Sequence, residues 1–193
     1  MASCIADLAK NITANCTKPL AGGYTGRGVI IPYGKQGVIV QNAENPRIIE
    51  SITPTQVFEI DNASITQPFN GSNKVSSAET GKKQVTKTVA LRIPLRGAAV
   101  SKEIVEPLLA SPLGFIVVLE KTDKVGDGSF EVIGFQSALK TNDDGISHNE
   151  YENGGDIAVT MSCVEDWYEV TLFDTDYDTT LEAFQGLLEL AQG

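Results

Sequence analysis

VTKTVALRIPL, residues 85–95, decides the fold class. Val85, Val89, Leu91, Ile93 and Leu95 share one parity, and Thr86, Thr88 and Arg92 share the other. Side chains of a strand point alternately to its two faces. The spacing therefore predicts a strand with one face on a core and the other in water or against a partner. Pro94 has no N–H to give to a ladder, which places that end at a sheet edge or a strand terminus.

Working outward, Ile157, Val159, Met161 and Cys163 alternate with Ala158, Thr160 and Ser162, a second strand of the same kind. GFIVVLE, residues 114–120, is the continuous apolar run of a strand buried on both faces. Turn residues over 123–128 and the run FEVIGFQSAL, 130–139, complete a hairpin with it. Residues 29–31 and 38–40, joined through Pro32, Gly34 and Gly37, predict another hairpin, and residues 48–60 are mostly β-formers. Two stretches read as loops. TQPFNGSNKVSSAETGKKQ, 66–84, is poor in large apolar residues and locally basic through Lys74, Lys82 and Lys83. A loop of that length inside a compact domain is usually either functional or a disordered surface segment. The other, 141–156, is marked by NDDG and ENGG.

Helices are expected at both ends. Ile5, Leu8, Ala9 and Ile12 share a face within 1–16, after Ser3 as a possible cap. In 178–192, Thr179 and Glu182 form a capping box ahead of a stripe of Leu181, Phe184, Leu187 and Leu188. A short helix over 101–110 starts at Ser101, and Pro107 must kink it or begin a second turn. The expected architecture is one domain over 1–193, mainly β with short helices. Its body, 17–170, is a β-sandwich or barrel, with helices at the two termini.

Composition narrows the function. The formal charge of −10 disfavours nucleic-acid binding, which needs clustered Lys and Arg. No apolar run approaches the ~20 residues that cross a bilayer. The N-terminus lacks the basic start and apolar stretch of a secretory leader, so folding in a cytoplasm is expected. Cys4, Cys16 and Cys163 include no closely spaced pair, and Cys163 is expected to serve as a small buried hydrophobe. His148 lies among Asp143, Asp144, Glu150 and Glu152, but their spacing misses the EF-hand register and reads as a solvated acidic loop. GxSxG is absent, and GGYTGRG has neither the Walker ending nor the strand-to-helix context of a dinucleotide fingerprint. Asp174, Asp176 and Asp178 alternate just before the last helix, and Asp178 and Asp176 suit its N-terminus. No catalytic residue, metal or cofactor is expected. A carbohydrate-binding or adhesin-like sandwich is the competing class. It needs an aromatic platform, whereas aromatics here are 7% of the chain, scattered, with Trp167 the single tryptophan.

The order of elements resembles the tail tube proteins of bacteriophages over residues 28–166. That order is a strand pair about a long polar loop, a short helix, a buried hairpin, then the late strand GGDIAVTMSCVEDW, 154–167. The opening MASCIADLAKNI…CTKPLAGGY also resembles the starts of virion proteins from phages of gut bacteria. The resemblance implies a tail-tube type of sandwich, six copies in a ring, stacked rings and a channel for DNA. It implies a place in the virion tail after folding in the host bacterial cytoplasm. The partners would be other copies of the chain and other tail proteins, with DNA a non-sticking passenger and no membrane. In such proteins the long loop reaches the neighbouring ring. Lys74, Lys82 and Lys83 would then meet Asp143 and Asp144 on the next subunit, fixing register more than affinity. The acidity would line the channel and repel phosphate within the ~8 Å Debye length. The helix over 179–192 is less expected in the simplest tube proteins and keeps a connector or tail-completion role open.

Overall fold

The computed structural model describes residues 23–61, 69–77, 83–94, 97–124, 126–147 and 156–192. The expected helix over 1–16 lies outside them. Along the chain come β1 (Tyr24–Pro32), β2 (Val38–Gln41), β3 (Ile48–Thr53), β4 (Phe58–Asp61), β5 (Phe69–Ser77) and β6 (Lys83–Ile93). A helical segment follows: α1 (Ala98–Val100), a π-turn (Ser101–Val105) and α2 (Glu106–Ala110). Then come β7 (Phe115–Lys121), β8 (Phe130–Ile133), β9 (Lys140–Ser147), β10 (Ile157–Glu165), β11 (Thr171–Leu172) and α3 (Tyr177–Gln192).

The strands form two sheets. The larger runs β2-β3-β11-β8-β7-β1-β4, and the smaller runs β5-β6-β10-β9. Ile30, Val117, Leu119 and Ile133 of the larger sheet meet Val89, Leu91, Val159 and Met161 of the smaller one in a single core, so the two sheets pack as a sandwich. The opposite face of the larger sheet is also covered. Val29, Ile31, Ile116, Val118 and Val132 pack there with Phe184, Leu187 and Leu188 of α3. Burial on both faces explains why β7 is apolar at almost every position. The molecule is mainly β, with a helical layer behind one sheet.

The parity of 85–95 holds in β6, whose residues alternate buried and half-buried from Val85 to Ile93, and the strand stops before Pro94. β7 and β8 form the expected hairpin. Pro107 enters α2 directly after the π-turn, whose widened spacing accommodates a residue without an N–H.

Four expectations need correction. Residues 29–31 and 38–40 do not pair: β1 lies between β4 and β7, while β2 pairs with β3 at the far edge of the sheet. β1 is buried on both faces and belongs mid-sheet, whereas Val38 and Val40 are exposed, as an edge position allows. The stretch 66–84 is not one long loop, because β5 pairs with β6 over nine rows from Phe69↔Leu91 to Ser77↔Lys83. The stretch 141–156 likewise begins as a strand, β9, paired with β10. Both are edge strands with few side chains to bury, so polar residues suffice and their composition resembles that of a loop. The cap of α3 also differs. The helix begins at Tyr177, and the Asp176 carboxylate accepts from the Thr179 N–H at 2.8 Å, so Asp176 rather than Thr179 caps it.

Candidate assembly surface

The four-stranded sheet has an outward face and two outer strands. On the outward face stand Thr86, Thr88, Ala90 and Arg92 of β6 and Ala158, Thr160, Ser162 and Val164 of β10. They are half-buried to exposed and belong to neither core. Ser162 donates to the Asn142 amide oxygen across to β9. Arg92 is held by Asp156 at 3.1 Å. No carboxylate occupies these β6 and β10 positions. The acidic side chains lie instead on other elements, such as Glu59 and Asp61 on β4, Glu103 and Glu106 on the helical segment, and Asp178, Glu182 and Glu189 on α3.

β5 is one outer strand and β9 the other. Lys74 is exposed on β5, beside Val75, which is 61% exposed. Lys83 is exposed where β6 opens, opposite Ser77. Lys82 lies outside the described residues, as does His148. Asp143 and Asp144 are exposed on β9, at a bulge between Thr141↔Met161 and Ile146↔Val159. Within one chain, then, Lys74 and the aspartates belong to opposite edges of the same sheet, with Lys83 one strand in from the β5 edge. Row by row they are also offset. The aspartates are level with Thr160, which aligns through Ala90 with Asn70, four residues along β5 from Lys74.

The polar groups inside the sandwich were not anticipated. Lys87 and Glu165 are each 1% exposed, and Lys87 Nζ lies 2.7 Å from Glu165 Oε2. Glu165 Oε1 accepts from the Gln136 N–H at 3.2 Å, and the Gln136 side chain in turn accepts from the Asp166 and Trp167 N–H groups. The pair ties β6 to β10 and to the segment after β8. Lys87 falls on the buried parity of β6, and Glu165 on that of β10. An ionisable residue on such a parity is the signal that could have found them. Cys163 faces Lys87 across the ladder and is buried, as expected. Burial, then the Glu165 charge, pushes its thiol up to about 12, against a smaller opposing pull from Lys87 and the Gly134 N–H. A thiol held protonated in this way is a poor nucleophile at neutral pH.

A second polar knot closes the far end of the larger sheet. Lys121 pairs with Glu131 at 3.2 Å and with Glu169. Tyr24 donates to Glu131 at 2.9 Å. Burial draws the Lys121 pKa down, but the two carboxylates outweigh it and hold the ammonium above its usual range. On the opposite face Glu120 accepts from Thr25 at 2.9 Å and from Tyr177 at 3.4 Å. These groups serve partners within the fold. No cluster of three or more His, Cys, Asp or Glu is gathered for a metal among the described residues. Trp167 lies beneath Arg47, 5.9 Å from its guanidinium. No helix among the described residues is long and apolar enough to cross a membrane.

Comparison with protein-family models, curated proteins and solved structures finds no match.

Proposed function

We propose that this chain is a non-catalytic structural subunit that joins copies of itself edge to edge into rings of a phage tail tube, with DNA passing through the lumen. The observation that carries this reading is the four-stranded sheet with unlike outer strands, Lys74 on β5 and Asp143 and Asp144 on β9. Adjacent strands of this sheet are all antiparallel, so β5 and β9 run in opposite directions. The β5 strand of one copy can therefore continue the ladder of the β9 strand of the next, still antiparallel. A contact between two different edges is heterologous, and it closes into a ring when the rotation between copies divides a full turn.

Geometry supports the same reading. Strands in closed barrels tilt by ~35–45°, which at normal strand spacing shifts the register by roughly one residue per strand. Four strands per copy shift it by roughly four residues, the size of the offset between Lys74 and the aspartate row. Closure with that stagger brings the lysine of one copy to the aspartates of its neighbour. Six copies, the number the resemblance implies, give about 24 strands and about 45–50 Å between opposite backbones, wider than a DNA duplex. The sandwich core and α3 lie on the outside of such a barrel, and the Thr/Ser face lies within. The β6 and β10 part of the lumen is then lined mainly by hydroxyls, in place of the expected acidic wall. Its cations are Arg92, held by Asp156, and Lys74 and Lys140, level with Thr86 and Ser162; Lys74 is engaged by the neighbour's aspartates, which leaves little free positive charge to grip phosphate.

The test is charge reversal read by negative-stain electron microscopy and light scattering at high protein concentration. Lys74→Glu is expected to abolish rings and tubes and leave a folded monomer. Combining it with Asp143→Lys and Asp144→Lys restores assembly. Wild-type protein that remains monomeric at every concentration sinks the reading.

A further inference from the structure

An apolar groove of about 590 Å³ lies beside the last residues of β6, between β4 and the α1–α2 segment. Buried Ile30, Leu91, Ile93 and Phe115 line it, together with Phe58, which is 48% exposed. Its charged lining is Glu59, Asp61 and Glu103 against Arg92, a net charge of −2. Arg92 is already held by Asp156. Lys102 and Glu106, exposed on either side of Glu103 along the helical segment, cancel one another.

The other end of β6 has the opposite character. The strand opens there at Lys83, level with Ser77 of β5, and two rows further on Val85 faces Val75. Val75 and Lys83 fall on the parity that faces the core, yet both are exposed, because the larger sheet does not cover this end. Residues 74–83 hold Lys74, Lys82 and Lys83 against Glu79, a net charge of +2 in a chain of −10. With Lys74 given to the ring contact, the remainder is still positive. The eleven residues of β6 set the two ends about 33 Å apart, so a copy's own hairpin end is held away from its own groove.

We infer that the groove seats the β5–β6 hairpin end of a second copy, one ring further along the tube, an assignment that rests on the ring assembly proposed above. Strands tilted ~35–45° to a barrel axis point their two ends at opposite rims, roughly 25 Å apart along that axis for β6. One rim then carries the hairpin ends and the other the grooves. The backbone edge of β5 serves the ring, while the core-side face with Val75 and Lys83 is left for the next one. Val75 meets Phe58 and the apolar lining, and Lys83 meets Glu59 and Glu103. Unlike rims join head to tail, and such a contact repeats without closing, as a tube requires.

Charge reversal at the two ends of the full chain tests the assignment, read by negative-stain electron microscopy and sedimentation velocity. Lys83→Glu and Glu103→Lys are each expected to lower tube yield by about tenfold while leaving single rings, and the two together restore tubes. Both sites are exposed, and an unchanged melting temperature checks that the fold is kept. Tubes at wild-type yield in both single variants overturn the inference and leave the ring assembly standing. So do wild-type rings that never stack, and so does loss of rings in Lys83→Glu, which would move that lysine to the contact within the ring. Wild-type protein that forms no rings at all overturns the ring assembly and the seating of the hairpin with it.

Discussion

Lys87 and Glu165 occupy positions where the parity of their strands calls for apolar side chains, and they pair with each other in the interior. A buried pair of this kind contributes little over a well-packed apolar pair, but removing one member strands the other. Lys87→Met is therefore expected to lower stability by about 3–5 kcal/mol in urea unfolding. Lys87→Met with Glu165→Gln recovers most of that loss, because the glutamine still accepts from the Gln136 N–H and leaves no buried charge. Each residue was visible in the sequence as an interruption of an alternating run. Their partnership was not, because it depends on β6 and β10 being neighbours. The two strands are far apart in the chain, and local pattern carries no record of pairing. The reading of Cys163 as a buried hydrophobe needed only its parity.

At the scale of elements, sequence was informative where side chains must be buried and silent where they need not be. β6, β7, β10 and α3 all pack large apolar residues, and their periods were readable. β5 and β9 are edges, and the Ser, Asn, Gly and Asp residues of an edge are also those of a loop. The turn after β1 was readable as a turn, but its Pro and Gly residues do not say which strand the chain joins next. Gly134 marks another such junction. Its φ is +88°, and a Cβ there would stand 2.5 Å from the Phe115 carbonyl oxygen, where the chain leaves β8 for the other sheet. Gly134→Ala is expected to cost about 2–4 kcal/mol, from the left-handed backbone and the overlap together, measured by thermal or urea unfolding. The cap of α3 adds a pH dependence. Hydrogen bonds from the Thr179 backbone and then its side chain hold the Asp176 carboxyl below its usual value. Its contribution is therefore complete above the unfolded value of ~3.9 and lost as pH falls through the lower folded one. Asp176→Asn, which caps without ionising, should flatten that part of the acid-unfolding curve.

For the whole molecule, a mainly β sandwich or barrel with a helix at its C-terminal end was legible from the short strands and the apolar stripe of α3. The layer arrangement was not, since it depends on which sheet each strand enters. Assembly through edges bearing opposite charge carries its own signature. Raising salt from 0.05 to about 0.5 M contracts the Debye length from well over 10 Å to a few ångströms, so ring yield should fall while the melting temperature of the monomer hardly moves. Duplex DNA should run free of the assembled tube at physiological salt. Replacing Thr88 and Thr160 with lysine should make the tube retain it, read by gel shift.

If copies join through the proposed edges, unlike margins on a single sheet would also govern how they first meet. A two-fold pair would set lysine against lysine or aspartate against aspartate, which like charge penalises, so mirror-fashion twins are a poor resting state. Head-to-tail addition would be the encounter left favourable, and it would give every growing arc a direction: one end could welcome only the margin that the other end displays.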